Sequence, residues 1–422
     1  MRILVVGKGA REHALAWKLA QEAEVICAPG NPGIAQDVEC LPINEFDFDG
    51  LIALCRLRLI DLVVVGPEDP LIAGLANALR DAGIDVYGPG KYAAELEGSK
   101  AFSKKLMLDA GVPTAPFMSF RDPNEAKTYI RERFADGRRV VVKASGAALG
   151  KGVVVCDSEE EAEASIDQMM VHRIFGDAGA IVVVEDRLEG PEFSLLTIVG
   201  DDHYVSLPVA QDRKRIFDND LGPNTGGMGT YSPLPWVSAD MVAQVEASVV
   251  VPTLKALKAR GILYRGTLFS GLMVDHGTPY CLEYNVRFGD PETQSVMMRL
   301  RTGLVQALRS AARGEPIVPP QIVPNAAVTV VVASGGYPGE YKKGLPIEIG
   351  PTPMGVKLFH AGVAMVDGKL VTNGGRVICA TAAAPRLDDA RRLAYTGAEA
   401  VKFEGAQYRT DIGAQTPETD RR

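Results

Sequence analysis

Short apolar runs, each closed by glycine or proline, dominate the first hundred residues. Ile3–Val6, Val25–Ala28 and Leu62–Val65 are such runs, and Asp85–Tyr87 is a shorter fourth; they end in Gly7-Lys8-Gly9, Pro29-Gly30-Asn31, Gly66-Pro67 and Gly88-Pro89-Gly90. Runs this short without polar alternation predict strands buried on both faces. Helical spacing over Arg11–Gln21, and again up to about Arg80, predicts the helices between them. The expectation is a parallel α/β unit with its loops gathered at the strand C-termini, where ligands of such folds sit.

Further along, a helix carrying Ser99-Lys100-Ala101-Phe102-Ser103-Lys104 meets a break at Gly111-Val112-Pro113. Strands are then predicted at Arg139–Lys143, Val153–Cys156 and Ile181–Glu185, with the loop Ala144–Gly152 and an acidic helix from Ser158 among them. Strands and glycine-rich turns continue to about Gln294, and the proline-rich, apolar Glu315–Asn325 reads as a linker. The last hundred residues look mostly antiparallel, with hairpin turns expected at Asp367-Gly368 and Asn373-Gly374. No internal repeat is visible.

A length of 422 residues implies two to four domains, and 46% hydrophobic with 23% charged residues is ordinary for a soluble globular chain. The net charge is −8, with Lys and Arg spread along the sequence. That argues against a nucleic-acid or anionic-membrane surface and leaves room for a local phosphate pocket. Cys27, Cys40, Cys55, Cys156, Cys281 and Cys379 form no C-x-x-C pair, and the isolated histidines form no H-x-x-x-H ligand pair, so reduced, buried thiols are expected. The opening apolar run is too short for a signal peptide, and none reaches transmembrane length. The expected compartment is the cytoplasm.

Four segments carry candidate chemistry. Gly7-Lys8-Gly9-Ala10-Arg11-Glu12 starts like a dinucleotide fingerprint but lacks the third glycine, and the second strand ends without an acid for a ribose diol. A tight strand-to-helix turn is one reading; a better one is an anion site, with helix-start N–H groups and Arg11 facing a phosphate. Lys143–Gly152 places three glycines and a second lysine between strands. It fails the Walker A pattern, and it is either a plain glycine hairpin or a loop whose amides close over a polyphosphate. Gln211-Asp212-Arg213-Lys214-Arg215 and Gly222–Gly229 combine charges with four glycines, either a solvated face or backbone approaching a ligand closely. Finally, Glu283, Asn285 and Arg287 lie two apart and share one face of a strand. A carboxylate and an amide oxygen suit Mg²⁺, and a guanidinium beside them can grip a carboxylate; a solvent-facing polar strand is the alternative.

Together, Gly7–Leu15, Gly66–Leu71, Gly98–Phe102, Gly222–Gly229, Asn285–Gln294, Ser334–Gly339 and Tyr408–Gly413 resemble the glycinamide ribonucleotide synthetases (phosphoribosylamine–glycine ligases) of the ATP-grasp superfamily, end to end. The resemblance implies a multidomain α/β and α+β chain. Residues 1–101 would be an N-terminal parallel α/β (pre-ATP-grasp) substrate domain. Residues 102–324 would form the two-lobed ATP-grasp domain, with its lid lobe at about 115–190, and 325–422 a mainly antiparallel C-terminal domain. By position, Lys104 and Lys143 would hold ATP phosphates, and Ser145, Gly146, Gly150, Lys151 and Gly152 would form the lid loop. Glu185 and Leu188 would meet the adenine, and Glu192 the ribose. Glu283 and Asn285 would bind Mg²⁺ or Mn²⁺. Gly7, Gly9, Arg11 and Glu12 would face the sugar phosphate, with Arg287 and Asp212 near glycine. Lys143, Arg287 and Asp212 would thus be the residues closest to the chemistry. Where the family commonly has aspartate this chain has Ser145, and Ala147-Ala148-Leu149 replaces a Leu-Ala-Ala stretch.

The activity so implied is ATP-dependent ligation of glycine to 5-phosphoribosylamine through glycyl phosphate, in purine biosynthesis. The expected chain is a monomer, free of nucleic acid and membrane, in transient contact with the upstream amidophosphoribosyltransferase. The alternatives are a sister ATP-grasp carboxylate–amine ligase, an NAD-dependent oxidoreductase and a non-catalytic nucleotide-binding module.

Overall fold

The computed structural model describes residues 1–146 and 152–414. Its N-terminal sheet has five parallel strands in the order Glu39–Cys40, Glu24–Pro29, Arg2–Gly7, Leu62–Val65, Val86–Tyr87. The apolar runs are continuous because both faces are covered. Leu4, Val6, Val63 and Val65 enter one core and Ile3, Val5, Leu62 and Val64 the other. The helix expected up to Arg80 is two helices, Glu68–Ala73 and Leu75–Asp81. Gly74, at φ +102°, breaks it, a conformation that costs glycine little.

Two antiparallel four-stranded sheets follow. The first runs Phe117–Phe120, Val182–Asp186, Val140–Ala144, Val153–Val155, and the second His203–Ser206, Glu192–Gly200, Arg265–Asp275, Thr278–Asn285. The chain passing into the first sheet is tied to the edge of the second: Cys281 N–H donates to the Pro113 carbonyl at 2.8 Å, and the Thr114 hydroxyl to the Cys281 carbonyl at 2.6 Å.

A third sheet crosses the chain's length. Gln211–Asp212 and Gly229–Ser232 join Ala326–Ala333, Arg376–Ala384 and Val356–His360 in one antiparallel array. The segment 315–325 packs back on its neighbour, with Val323 N–H donating to the Arg299 carbonyl at 2.8 Å. Asp367-Gly368 closes the hairpin Val363–Val366/Lys369–Thr372, with positive φ at both residues as a primed turn requires. Asn373-Gly374 closes none: after Thr372 the chain crosses to Arg376–Ala384, whose partners are Ala326–Ala333 and Val356–His360. The turn residues were legible, but the partner is set by the larger sheet. All six cysteines are free thiols, five of them buried. Among the described residues no helix is long and apolar enough to cross a membrane.

Candidate active site

The first sheet and the helix Lys100–Ala110 bring two lysines to one carboxylate. Lys104 Nζ lies 2.9 Å from Glu185 Oε2 and Lys143 Nζ 2.8 Å from Glu185 Oε1, all three side chains buried. Burial would raise the Glu185 carboxyl, but Lys143 and Lys104 hold it below its ordinary range. Burial lowers Lys104 against the pull of that carboxylate. Two ammoniums on one carboxylate leave net positive charge inside the protein, which an anionic ligand would relieve. The helix is started by Ser99, whose Oγ accepts from Phe102 N–H at 3.2 Å.

Ser145 completes that helix start. Its Oγ accepts from Ala101 N–H at 3.0 Å and its carbonyl from Lys100 N–H at 2.7 Å. The structure thus gives Ser145 a capping task that an aspartate could also perform. Gly146 donates its N–H to the Ala178 carbonyl at 3.0 Å, and a Cβ there would lie 2.6 Å from the Ala178 backbone. Gly152 is buried and accepts from Ala144 N–H at 2.8 Å. Gly150 and Lys151 lie outside the described residues. Leu188 follows the strand that carries Glu185 and is half-buried.

On the second sheet, a β-bulge pairs Gly271 with Glu283 and Leu272 with Cys281, leaving Leu282 as the extra residue. Cys281 and Tyr284 are therefore both buried, while Glu283 and Asn285 are only partly covered. The nearest cation to Glu283 is Lys214, 3.9 Å from its Oε1; Lys214 also lies 3.0 Å from Glu192 Oε2. Burial acts to raise the Glu283 carboxyl, yet Lys214, Lys143, Lys100 and Arg287 together hold it low. Lys214 is raised, chiefly by Glu192. Among the described residues no group of three or more His, Cys, Asp or Glu could hold a metal. Glu283 and Asn285 supply two hard oxygen donors, and among the described residues no ion pair shorter than the 3.9 Å contact to Lys214 occupies the Glu283 carboxylate. The pair fits a divalent cation whose remaining ligands come from phosphates.

The N-terminal loop adjoins this cleft. Glu12 turns inward: its Oε2 accepts from Gly9 N–H at 2.6 Å and its Oε1 from Arg11 Nε at 2.5 Å. A Cβ at Gly7 or Gly66 would collide with the Glu12 side chain. Glu12 and Gly9 N–H, expected to face substrate, are thus spent on shaping the loop. Arg287 was expected to offer an open fork. Instead its NH2 lies 2.8 Å from Glu97 Oε1 and its Nε 3.1 Å from Glu68 Oε2, bolting the strand end to the N-terminal unit. Arg11 NH1 lies 3.6 Å from the same Glu68 carboxylate. Against burial, Arg287 and Arg11 bring Glu68 down to about 2. Burial pushes Glu97 up to about 7 despite Arg287.

Asp212 sits beneath the glycine-rich segment with Oδ1 buried and unbonded. A Cβ at Gly227 (φ +107°) would lie 2.7 Å from that oxygen, so the backbone there approaches Asp212 as closely as a glycine allows. Burial and Glu292 both push the Asp212 carboxyl up. Glu292 accepts from Ser194 Oγ at 2.9 Å and is itself raised by burial. Lys214, Lys100, Glu68 and Glu292 lay inside segments marked in the sequence but were given no role of their own, and Glu97 lay in none. Lys100 stands one turn from Lys104 and so had a local signal, whereas Lys214 lies in the connection between the strands Gln211–Asp212 and Arg215–Phe217. Glu68 and Glu97 had no such signal.

Two four-stranded sheets bordering a cleft, with buried lysines on one side and Glu283 and Asn285 on the other, make this an ATP-grasp protein. Residues 1–97, 98–293 and 327–415 match, in turn, the N, ATP-grasp (A) and C domains of phosphoribosylglycinamide synthetase. The chain belongs to that family. It is 45% identical over 421 residues to a phosphoribosylamine–glycine ligase of Rhodopirellula baltica, covering 97% of this chain and 96% of the relative. A Vibrio cholerae phosphoribosylamine–glycine ligase is 44% identical, with 98% of each chain covered. The crystal structure of the Thermotoga maritima phosphoribosylamine–glycine ligase superposes with a TM-score of 0.85 at 37% identity, over 97% of this chain and 100% of that one. A Campylobacter jejuni biotin carboxylase shares the fold alone, with a TM-score of 0.72 at 15% identity over 96% and 92% of the two chains.

Proposed function

We propose that the cleft joins glycine to 5-phosphoribosylamine by way of glycyl phosphate, with the roles below. The overall reaction is that of the family: ATP, glycine and 5-phosphoribosylamine give glycinamide ribonucleotide, ADP and phosphate. The observation that carries the reading is the gathering of positive charge at Glu283, where Lys214 stands 3.9 Å from the carboxylate and Lys143, Lys100 and Arg287 also act on it. Such a gathering suits a triphosphate and a cation bound together.

A glycine carboxylate oxygen attacks the γ-phosphorus, and ADP departs with the bonding pair. The ribosylamine nitrogen then attacks the acyl carbon of glycyl phosphate, loses a proton, and phosphate leaves. No side-chain nucleophile is required. The residues' task is to align two anions that repel each other, which can lower a barrier by roughly 7–11 kcal/mol. Lys104 and Lys143 would hold phosphates, and Glu185 keeps both ammoniums pointed into the cleft. Glu185 and Leu188 would border the adenine and Glu192 the ribose, with Lys214 between Glu192 and the phosphates. Ser145, Gly146, Gly150, Lys151 and Gly152 would belong to the covering loop. Mg²⁺ or Mn²⁺ held by Glu283 and Asn285 would neutralise phosphate charge. Asp212 with Glu292 would accept the glycine ammonium, and Arg287 serves as a fixed positive charge rather than an open clamp. Gly7, Gly9 and Arg11 would present the sugar-phosphate site, with Glu12 shaping it.

The proposed domains are 1–101, 102–324 with its lid at about 115–190, and 325–422. The chain would act as a cytoplasmic monomer, receiving its labile amine from the amidophosphoribosyltransferase. The deciding experiment is ADP release with freshly generated 5-phosphoribosylamine, glycine and ATP, each omitted in turn. ADP release that needs neither glycine nor the amine would refute the reading. A sister ligase would release ADP with another carboxylate in place of glycine.

A further inference from the structure

His360, the last residue of the edge strand Val356–His360, has both of its backbone groups taken by side chains of the N-terminal unit, one from the helix Ala10–Leu19 and one from the loop after Glu24–Pro29. Its N–H donates to His13 Nδ1 at 2.8 Å, and its carbonyl accepts from Asn31 Nδ2 at 2.8 Å. Because Nδ1 accepts, the His13 proton sits on Nε2, which donates to Asp37 Oδ2 at 2.8 Å. Lys357, on the same edge strand, closes the seam at 2.6 Å from Asp37 Oδ2. A Cβ at Gly33 would collide with the His360 ring, so the close approach depends on that glycine.

The second hydrogen of the Asn31 amide reaches the loop itself, donating to the Lys8 carbonyl at 2.8 Å. Asn31 Oδ1 accepts from Gly33 N–H at 2.8 Å and Ile34 N–H at 2.9 Å, so the side chain is fully used within the protein. The Lys8 carbonyl and the Gly9 N–H belong to one planar peptide. Asn31 holds its carbonyl end, and Glu12 holds its N–H end at 2.6 Å. A peptide leading into glycine could otherwise turn over at little cost, and the helix-start N–H groups that follow would lose their aim.

We propose that Asn31 is a positioning residue for the sugar-phosphate substrate, fixing the Gly7–Arg11 loop against the edge strand Val356–His360. The inference rests on the reading of Gly7–Arg11 as the sugar-phosphate loop. It makes the C-terminal sheet a determinant of affinity at the sugar-phosphate site.

Asn31→Asp keeps the shape and turns the donor into an acceptor facing two carbonyl oxygens. Ribose 5-phosphate and ATP binding would be measured by calorimetry on wild type, Asn31→Asp, Lys357→Met and Arg11→Gln. The expected result is a ribose 5-phosphate Kd raised about tenfold or more in Asn31→Asp and two- to fivefold in Lys357→Met, with ATP Kd within twofold of wild type. In turnover, KM for the ribosylamine should rise with kcat little changed. If Arg11→Gln weakens ribose 5-phosphate and neither seam variant does, the inference is overturned. An equal loss of ATP affinity in the seam variants overturns it too, by showing general disruption. If Arg11→Gln binds ribose 5-phosphate as wild type does, it is the loop reading that fails. Lys357→Met carries the test should Asn31→Asp not fold.

Discussion

Lys214 Nζ stands 3.9 Å from the Glu283 carboxylate, the residue proposed to hold the metal, while its shorter contact, 3.0 Å, is to Glu192. A single ammonium thus links the proposed ribose and metal carboxylates from the connection between the strands Gln211–Asp212 and Arg215–Phe217. Removing it should let the Glu283 carboxyl rise and leave the phosphates less screened. Lys214→Met is expected to lower kcat by on the order of 10²–10³, the loss typical when one charge-stabilising group is removed. Steady-state ADP release measures this, and kcat within threefold of wild type would exclude the role.

Glu283→Ala should abolish turnover while thermal melting stays near wild type, because the side chain is only partly covered and its ion pair among the described residues is the long 3.9 Å contact to Lys214. Titration of Mn²⁺ followed by electron paramagnetic resonance, with ATP present, should show weakened binding. Normal turnover in this variant ends the metal assignment.

Glu185→Gln leaves Lys104 and Lys143 buried with their shared carboxylate gone. Breaking a buried pair by removing one partner costs about 3–5 kcal/mol. The variant should therefore unfold at markedly lower urea concentration, with ATP restoring part of the loss by binding only the folded form. Unfolding curves with and without ATP check both halves; an unchanged midpoint would contradict the clamp.

Glu68 has its folded pKa depressed from 4.5 to about 2 by Arg287 and Arg11, against burial. Depression means that its contribution is fully present above the unfolded value and is lost as pH falls from about 4.5 towards 2. The contribution is roughly 3 kcal/mol at most. Wild type minus Glu68→Gln stability, followed by urea unfolding from pH 6 downward, should shrink across that window. A difference independent of pH would show that Glu68 acts through packing instead.

Arg409 is 1% exposed, and its guanidinium bonds Asp220 Oδ1 at 2.7 Å, Asp411 Oδ1 at 2.7 Å and Oδ2 at 2.6 Å, and the Arg215 carbonyl at 3.0 Å. It clamps the hairpin Arg215–Phe217/Leu221–Asn224, which directly follows Lys214, to the C-terminal segment. Arg409→Met should cost about 1–3 kcal/mol, since it leaves the part-buried Asp220 and Asp411 carboxylates without their shared guanidinium. Arg409→Lys, keeping charge but losing the fork, should recover only part of it. Chemical denaturation of the two variants tests the order.

Local chemistry wrote much of this protein into its sequence. Apolar runs closed by glycine marked the parallel strands and Asp367-Gly368 its hairpin, because each depends on neighbours a few residues away. The spacing of Glu283 and Asn285 put both on one face because the strand's period is two. What lies across the cleft was decided only by tertiary structure. Glu185 meets Lys104 and Lys143 through a sheet, Arg287 meets Glu68 and Glu97 through packing of two domains, and the bulge at Leu282 turns on pairing with Gly271. Ser145 and Glu12, expected beside ligands, also hold structural partners for the same reason: a polar group's partner is whichever donor or acceptor the folded chain brings to it.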